Sequence, residues 1–189
     1  MTLPGLATTL KDDRACEIVT LGRSPLTPLI AALVDRLTYA RLTTLQAAAG
    51  MTQAELDAVP PGLTNSVGML LAHLAAVHRI YQTMTFEGHD PYDDEAFAAH
   101  RPALDLGEAA QLSVRGHDLA WYEADLEATL TDTLRQLAAR DDAWLSEPVP
   151  ADPRMNHHWA WFHVMEDEVS HRGQIRLIRR LLRGQDAQP

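Results

Sequence analysis

One helix-length segment near the C-terminus, HHWAWFHVMEDEVSHRGQIRLIRRLL at 157–182, constrains this chain most. In it His163, Asp167 and His171 recur at every fourth position. An α-helix turns about 100° per residue, so groups at i, i+4 and i+8 drift by only about 80° and share one face. Imidazole, carboxylate and imidazole on one face is metal-ligand chemistry. A second histidine-bearing apolar segment, SVGMLLAHLAAVHRI at 66–80, can supply a further ligand.

The rest of the chain reads as helices separated by breakers. The first is expected over 26–48, capped by Ser24 or Thr27, with a proline near its first turn and Gly50 past its end. Its apolar positions are Leu29, Ile30, Leu33, Leu37 and Leu42. A short helical turn in MTQAELDAVPPGLTNS precedes the Pro60-Pro61-Gly62 breaker. The second helix is expected over 64–84, with Val67, Leu70, Leu71, Leu74, Val77 and Tyr81 as its stripe. Residues 86–116 are irregular and too long for a plain loop, so short helices or a functional cover are expected there. The third helix is expected over 117–141, on Leu119, Tyr122, Leu126, Leu130, Leu134 and Leu137. The proline-broken WLSEPVPADPRMN leads to the fourth, over 157–183, which Gly184 stops. Residues 1–23 read as irregular, and no β pattern or internal repeat stands out. The expectation is an all-α four-helix bundle formed by one domain over 1–189, with an insertion between its second and third helices and a metal in its interior.

Charge narrows the partners. A net charge of −10 and a pI near 5.2 argue against nucleic acid or an anionic membrane. The arginines clustered at 172, 176, 179, 180 and 183 read as favourable charge near a helix C-terminus. Cys16 is the single cysteine, so no intrachain disulfide can form and a reducing compartment fits. No apolar run reaches the roughly 18–20 residues of a membrane span, and the N-terminus lacks the pattern of a signal peptide. A cytoplasmic protein is expected.

Asp167 and His171 can converge on one ion, because groups four apart are neighbours on a helix. A third ligand must come from elsewhere, and His73 is the choice: mid-helix among leucines, an unpaired imidazole would be costly to bury. His78 is the rival, and lies nearly on the opposite face from His73. Three protein ligands leave a position for water, as in a catalytic site. Glu166 reads as solvated, and Glu168 is the alternative carboxylate if the helix rotates. His163 is a fourth ligand, a partner orienting a ligand, or a histidine at the core edge. His157 and His158, ahead of Trp159 and Trp161, line a pocket mouth or belong to a helical turn with aromatic packing. Tyr39 and Tyr122 read as core residues with a wet hydroxyl. His89, His100 and His117 show no ligand spacing. Phosphate-loop, dinucleotide and G-x-S-x-G signatures are absent.

At these residues the chain resembles the DinB/YfiT-like superfamily, which includes the mycothiol-dependent maleylpyruvate isomerases. The resemblance rests on SVGMLLAHLAAVHRIYQ and HVMEDEVSHRGQIRLIRRLL, most specifically on the HRGQI run that begins at His171. It implies a bundle with a divalent metal at one end, held by His73, by His171 and by the residue four before it. That middle ligand is often His in the superfamily and Glu in the mycothiol-dependent branch; here it is Asp167, one methylene shorter. The metal implied is zinc or nickel, and the ligand set would also accept iron or manganese. The resemblance further implies a transferase acting on a small-molecule substrate with a thiol such as mycothiol or bacillithiol, with His163 orienting a ligand or relaying a proton, and a homodimer. Metal-assisted hydrolysis and a non-catalytic, stress-related binding protein are the alternatives.

Overall fold

The computed structural model describes residues 25–185, so Cys16, Ser24 and the irregular reading of 1–23 lie outside the described residues. The helices are α1 (Pro28–Ala48), α2 (Gln53–Asp57), α3 (Val67–Gln82), α4 (Arg101–Asp105), α5 (Gly107–Ser113), α6 (Leu119–Leu137), α7 (Asp142–Ser146) and α8 (His157–Gln185). A two-stranded antiparallel hairpin, β1 (Pro148–Val149) and β2 (Asp152–Asn156), precedes α8. Its strands are too short to show alternation, which is why the sequence carried no β signal.

Local chemistry sets the boundaries. Ser66 accepts a hydrogen bond from the Met69 amide and starts α3 later than expected. At its other end α3 widens into a π-helical turn over Thr83–Glu87, where the Thr83 and Thr85 hydroxyls donate to the Arg79 and Tyr81 carbonyls, and Gly88 at φ +86° ends it. Asp118 caps α6, and Asp141 caps the separate α7, so the third helix stops short of 141. Thr27 stands at the N-cap of α1, but its side chain does not cap. The Asp142 carboxylate does so from far along the chain, accepting from the Leu29 and Ile30 amides at 3.0 and 3.2 Å and from the Thr27 hydroxyl at 2.5 Å.

Four long helices form the bundle. Contacts between α1 and α8 advance together, from Arg41–Glu168 through Thr43–Arg172 to Ala47–Arg179, so these two helices are parallel. Gly68 lies against Tyr122, and His78 and Gln82 against Thr133, so α3 and α6 are parallel as well. The pairs α3–α8 and α1–α6 run antiparallel. Because α3 and α6 follow one another yet point the same way, residues 83–118 must run back along the bundle, which explains the long irregular middle. Its short helix α4 lies on α3.

A small apolar cluster gathers Met84, Val149 and Ala160, and two larger ones fill the interior. One joins Ala48, Met51, Leu56, Val67, Leu70, Leu71, Leu74, Tyr122, Leu126, Ile175 and Ile178. The other joins Ile30, Leu33, Leu37, Val77, Leu130, Leu134, Leu137, Leu145, Trp161 and Val164. Leu29 and Tyr39, expected inside, are exposed at 54% and 47%: both fall outside the buried stripe of α1, which runs through Leu33, Leu37, Ala40, Arg41, Thr44 and Ala48. Tyr122 is in the core as expected, but its hydroxyl is dry and has no hydrogen-bond partner.

Gly68 shows how closely α3, α6 and α2 approach. A Cβ there would meet the Tyr122 hydroxyl oxygen at 2.6 Å and the Leu56 carbonyl oxygen at 3.2 Å. Gly68→Ala is therefore expected to lose roughly 1–3 kcal/mol of stability. Tyr122→Phe in the same chain should recover part of that loss, and urea denaturation of the single and double variants checks both outcomes.

Candidate metal centre

His73 lies near the middle of α3, and Asp167 and His171 near the middle of α8. Helix geometry turns all three toward the same side of the α3–α8 seam, and one ligand atom from each lies within 4.8 Å of the others. The Asp167 carboxylate sits between the imidazoles: Oδ2 is 3.3 Å from His73 Nε2, and Oδ1 is 3.2 Å from His171 Nε2. The imidazole rings meet edge to face at 4.8 Å. The site is thus midway along the bundle, not at one end as the resemblance implies.

The backbone of α4 supports the site. His73 Nδ1–H donates to the Ala103 carbonyl at 3.0 Å. That bond places the proton on Nδ1 and leaves a lone pair on Nε2, which faces Asp167. Of the short helices or functional cover expected in the 86–116 segment, the short helices are present, and one of them meets His73 here. Burial lowers the His73 pKa, but the Asp167 carboxylate and the Ala103 and Leu104 carbonyls outweigh it, and the net shift is upward. For Asp167, burial opposes ionisation; the His171 and His73 imidazoles beside it outweigh that and hold it well below the usual carboxylate range. The carboxylate is therefore anionic at neutral pH. His171 Nδ1 and Asp167 Oδ2 are buried and lack a hydrogen-bond partner. Two imidazole nitrogens converging on an anionic carboxylate make a donor set that fits a divalent cation.

The other candidates fall elsewhere. His78 turns into the core, where Nε2 is 3.7 Å from Glu168 and Nδ1 is 3.0 Å from the Thr133 hydroxyl. Glu168 is buried and committed there, while Glu166 is exposed. His163 is half-exposed, stacks on Trp159 at 5.3 Å, and faces Glu166 at 3.4 Å; it is outside the triad and its ring lies 5.7 Å from Tyr81. His157 is buried, donates from Nδ1 to the Trp144 carbonyl and stacks on the Trp144 ring at 4.0 Å, which is aromatic packing at a helix start. His89 pairs with Asp94, His100 lies against Phe97, and His117 stacks on Trp121. Tyr81, which the sequence offered only as an apolar position, is half-buried; burial and the charges of Asp167 and Asp152 push its hydroxyl up to about 12.

A family model described as mycothiol-S-transferase matches residues 32–184. The chain belongs to this family. It is a DinB/YfiT-like family, as the two signature helices suggested. The fold is also that of a solved structure, a conserved protein from Enterococcus faecalis, at a TM-score of 0.63 and 21% identity over 81% of this chain and 96% of that one. No curated protein matches the chain.

In this mycothiol-S-transferase family member the triad adjoins a buried ionic group. Arg41 on α1 contacts Glu168 through Nε at 2.6 Å and through a terminal nitrogen at 2.5 Å, and it donates to the Leu126 carbonyl of α6. Burial opposes the Glu168 charge, and Arg41 outweighs it, so Glu168 is ionised. Burial keeps His78 neutral despite Glu168. Sequence reasoning missed Arg41, although the signal was legible: it is a charge on the stripe Leu37, Arg41, Thr44, Ala48 that helical spacing turns inward. Removing one partner strands the other charge in the core. Arg41→Ala should therefore lose roughly 3–5 kcal/mol, and the paired Arg41→Met, Glu168→Leu replacement should lose less than Arg41→Ala alone. Chemical denaturation of the two variants decides the order.

Proposed function

We propose that this protein is a metal-dependent S-transferase that uses a low-molecular-weight thiol of the mycothiol kind on an electrophilic small molecule. The observation that carries the reading is the convergence of His73 Nε2, Asp167 and His171 on one point, with three ligand atoms within 4.8 Å. The family's description supplies the thiol. His73, Asp167 and His171 would hold the cation, with zinc or nickel as the first choice. The chemistry that a divalent cation supplies at such a site is Lewis acidity, which lowers the pKa of a thiol placed against it.

The chain's own groups do the rest. The Ala103 carbonyl keeps the His73 lone pair aimed inward. Asp167, anionic beside two imidazoles, supplies the negative charge of the donor set, and its side chain reaches both imidazoles directly despite being shorter than Glu. Tyr81 stays protonated at neutral pH, because burial and the Asp167 charge hold its pKa high, and can donate a hydrogen bond to substrate. In S-transfer the sulfur bonds to an electrophilic carbon, the leaving group on that carbon departs with the electron pair of the broken bond, and the thiol proton is lost to a base. His163, half-exposed one turn before Asp167, is the imidazole positioned to pass that proton to solvent.

Elemental analysis of protein purified without an affinity tag tests the reading. The expected result is about one equivalent of divalent metal in wild type, lost in His73→Ala and in Asp167→Ala. His163→Ala should retain the metal and transfer mycothiol to an electrophilic bimane more slowly than wild type. Wild-type protein that stays metal-free after reconstitution with zinc, nickel, iron or manganese would sink the proposal.

A further inference from the structure

A recess of about 550 Å³ lies between α1 and α8, lined by Gln46, Ala47, Arg176, Arg179, Arg180 and Arg183. No carboxylate lines it, in a chain whose net charge is −10. Because α1 and α8 are parallel, both C-terminal ends fall at this end of the bundle, and the partial negative charge of each invites a cation. Arg179 answers that need for α1: its two terminal nitrogens donate to the Ala47 and Ala49 carbonyls at 2.8 Å each. Dipole compensation thus accounts for one guanidinium well.

It also accounts for Arg183, in the last turn of α8, and leaves Arg176 and Arg180 to be explained. None of Arg176, Arg180 and Arg183 forms an ion pair among the described residues. They follow one another at i, i+4 and i+7 on α8, where like charges are neighbours and destabilise a helix by a few tenths of a kcal/mol per pair. Glu55 is near enough to feel Arg183 and Arg179, but its carboxylate turns back into the capping box of α2, accepting from the Thr52 amide at 2.7 Å. Arg179 Nε is buried without a hydrogen-bond partner. All four cations are arginine, whose planar fork of donors matches phosphate oxygens two at a time.

We propose that this recess binds a polyphosphate chain, with Arg176, Arg180 and Arg183 closing on its oxygens and Arg179 fixing the floor. The recess falls in the size range of small-molecule sites, and a single phosphate would leave most of it empty, so a di- or triphosphate is the fitting ligand. Free polyphosphate and a nucleoside triphosphate share that chemistry. The proposal uses none of the triad residues and stands apart from the transferase reading.

Equilibrium dialysis of the full chain against tripolyphosphate, ATP and adenosine, at physiological ionic strength, tests it. Wild type is expected to bind both phosphates saturably and adenosine not at all. Arg176→Gln with Arg180→Gln, both on exposed positions, should weaken both phosphates about ten-fold or more at an unchanged melting temperature. His73→Ala should bind as wild type does. Tighter binding of ATP than of tripolyphosphate would assign a nucleotide, and equal binding the free polyphosphate. Absence of saturable binding, adenosine binding as tight as ATP, affinity unchanged in the double variant, or loss in His73→Ala would each overturn the proposal.

Discussion

The buried pair of Arg41 and Glu168 is the constraint on which the bundle's arrangement turns. Both side chains are at most 3% exposed, and each carries a charge that neither of the larger apolar clusters could accept alone. With Glu168 tied to α1 and, through Arg41, to the α6 backbone, α8 has one rotation at which both charges are satisfied. Asp167, one residue earlier, then projects about 100° away, toward the seam with α3. His171, one turn on, follows it. The same helix therefore presents an internal ionic group and a flanking ligand set, and the second depends on the first. Glu168 is not an alternative ligand, because it is the group that sets where the ligand points.

Topology supplies the other half of the site. Two consecutive helices that run parallel need a connection as long as the bundle, and 83–118 is that connection. Since it must cross the face of α3 anyway, it covers His73 at little further cost, and it meets the imidazole with a backbone carbonyl. The contact is indifferent to which residue occupies position 103, provided that α4 lies where it does. A segment that looks irregular in sequence thereby fixes the tautomer of a candidate ligand.

Much of this was legible in the sequence. The four long helices follow from apolar spacing and breakers, and the triad from an i, i+4 pair with one histidine in a leucine-rich helix. His78 and His73 could be separated because five residues of helix place them on nearly opposite faces. What escaped the reading depends on partners distant in sequence. Arg41 is an inward-facing charge whose partner, Glu168, lies more than a hundred residues away. Asp142 could not be recognised as the cap of α1, because nothing near Thr27 announces it. The hairpin before α8 is too short to carry a period. Leu29 and Tyr39 lay at the margin of a stripe whose edges only packing defines.

The capping of α1 also bears on the order in which the chain can assemble. Its first helix packs laterally on α6 and α8 and has its N-terminal amides satisfied by Asp142, all of which lie far downstream. During synthesis α1 leaves the ribosome with neither its cap nor its neighbours yet made. Loop closure over more than a hundred residues must precede its docking, a slow step by the standards of helical proteins, whose contacts are mostly local. In the interval its apolar stripe, and the arginine set within it, are open to whatever binds nascent chains.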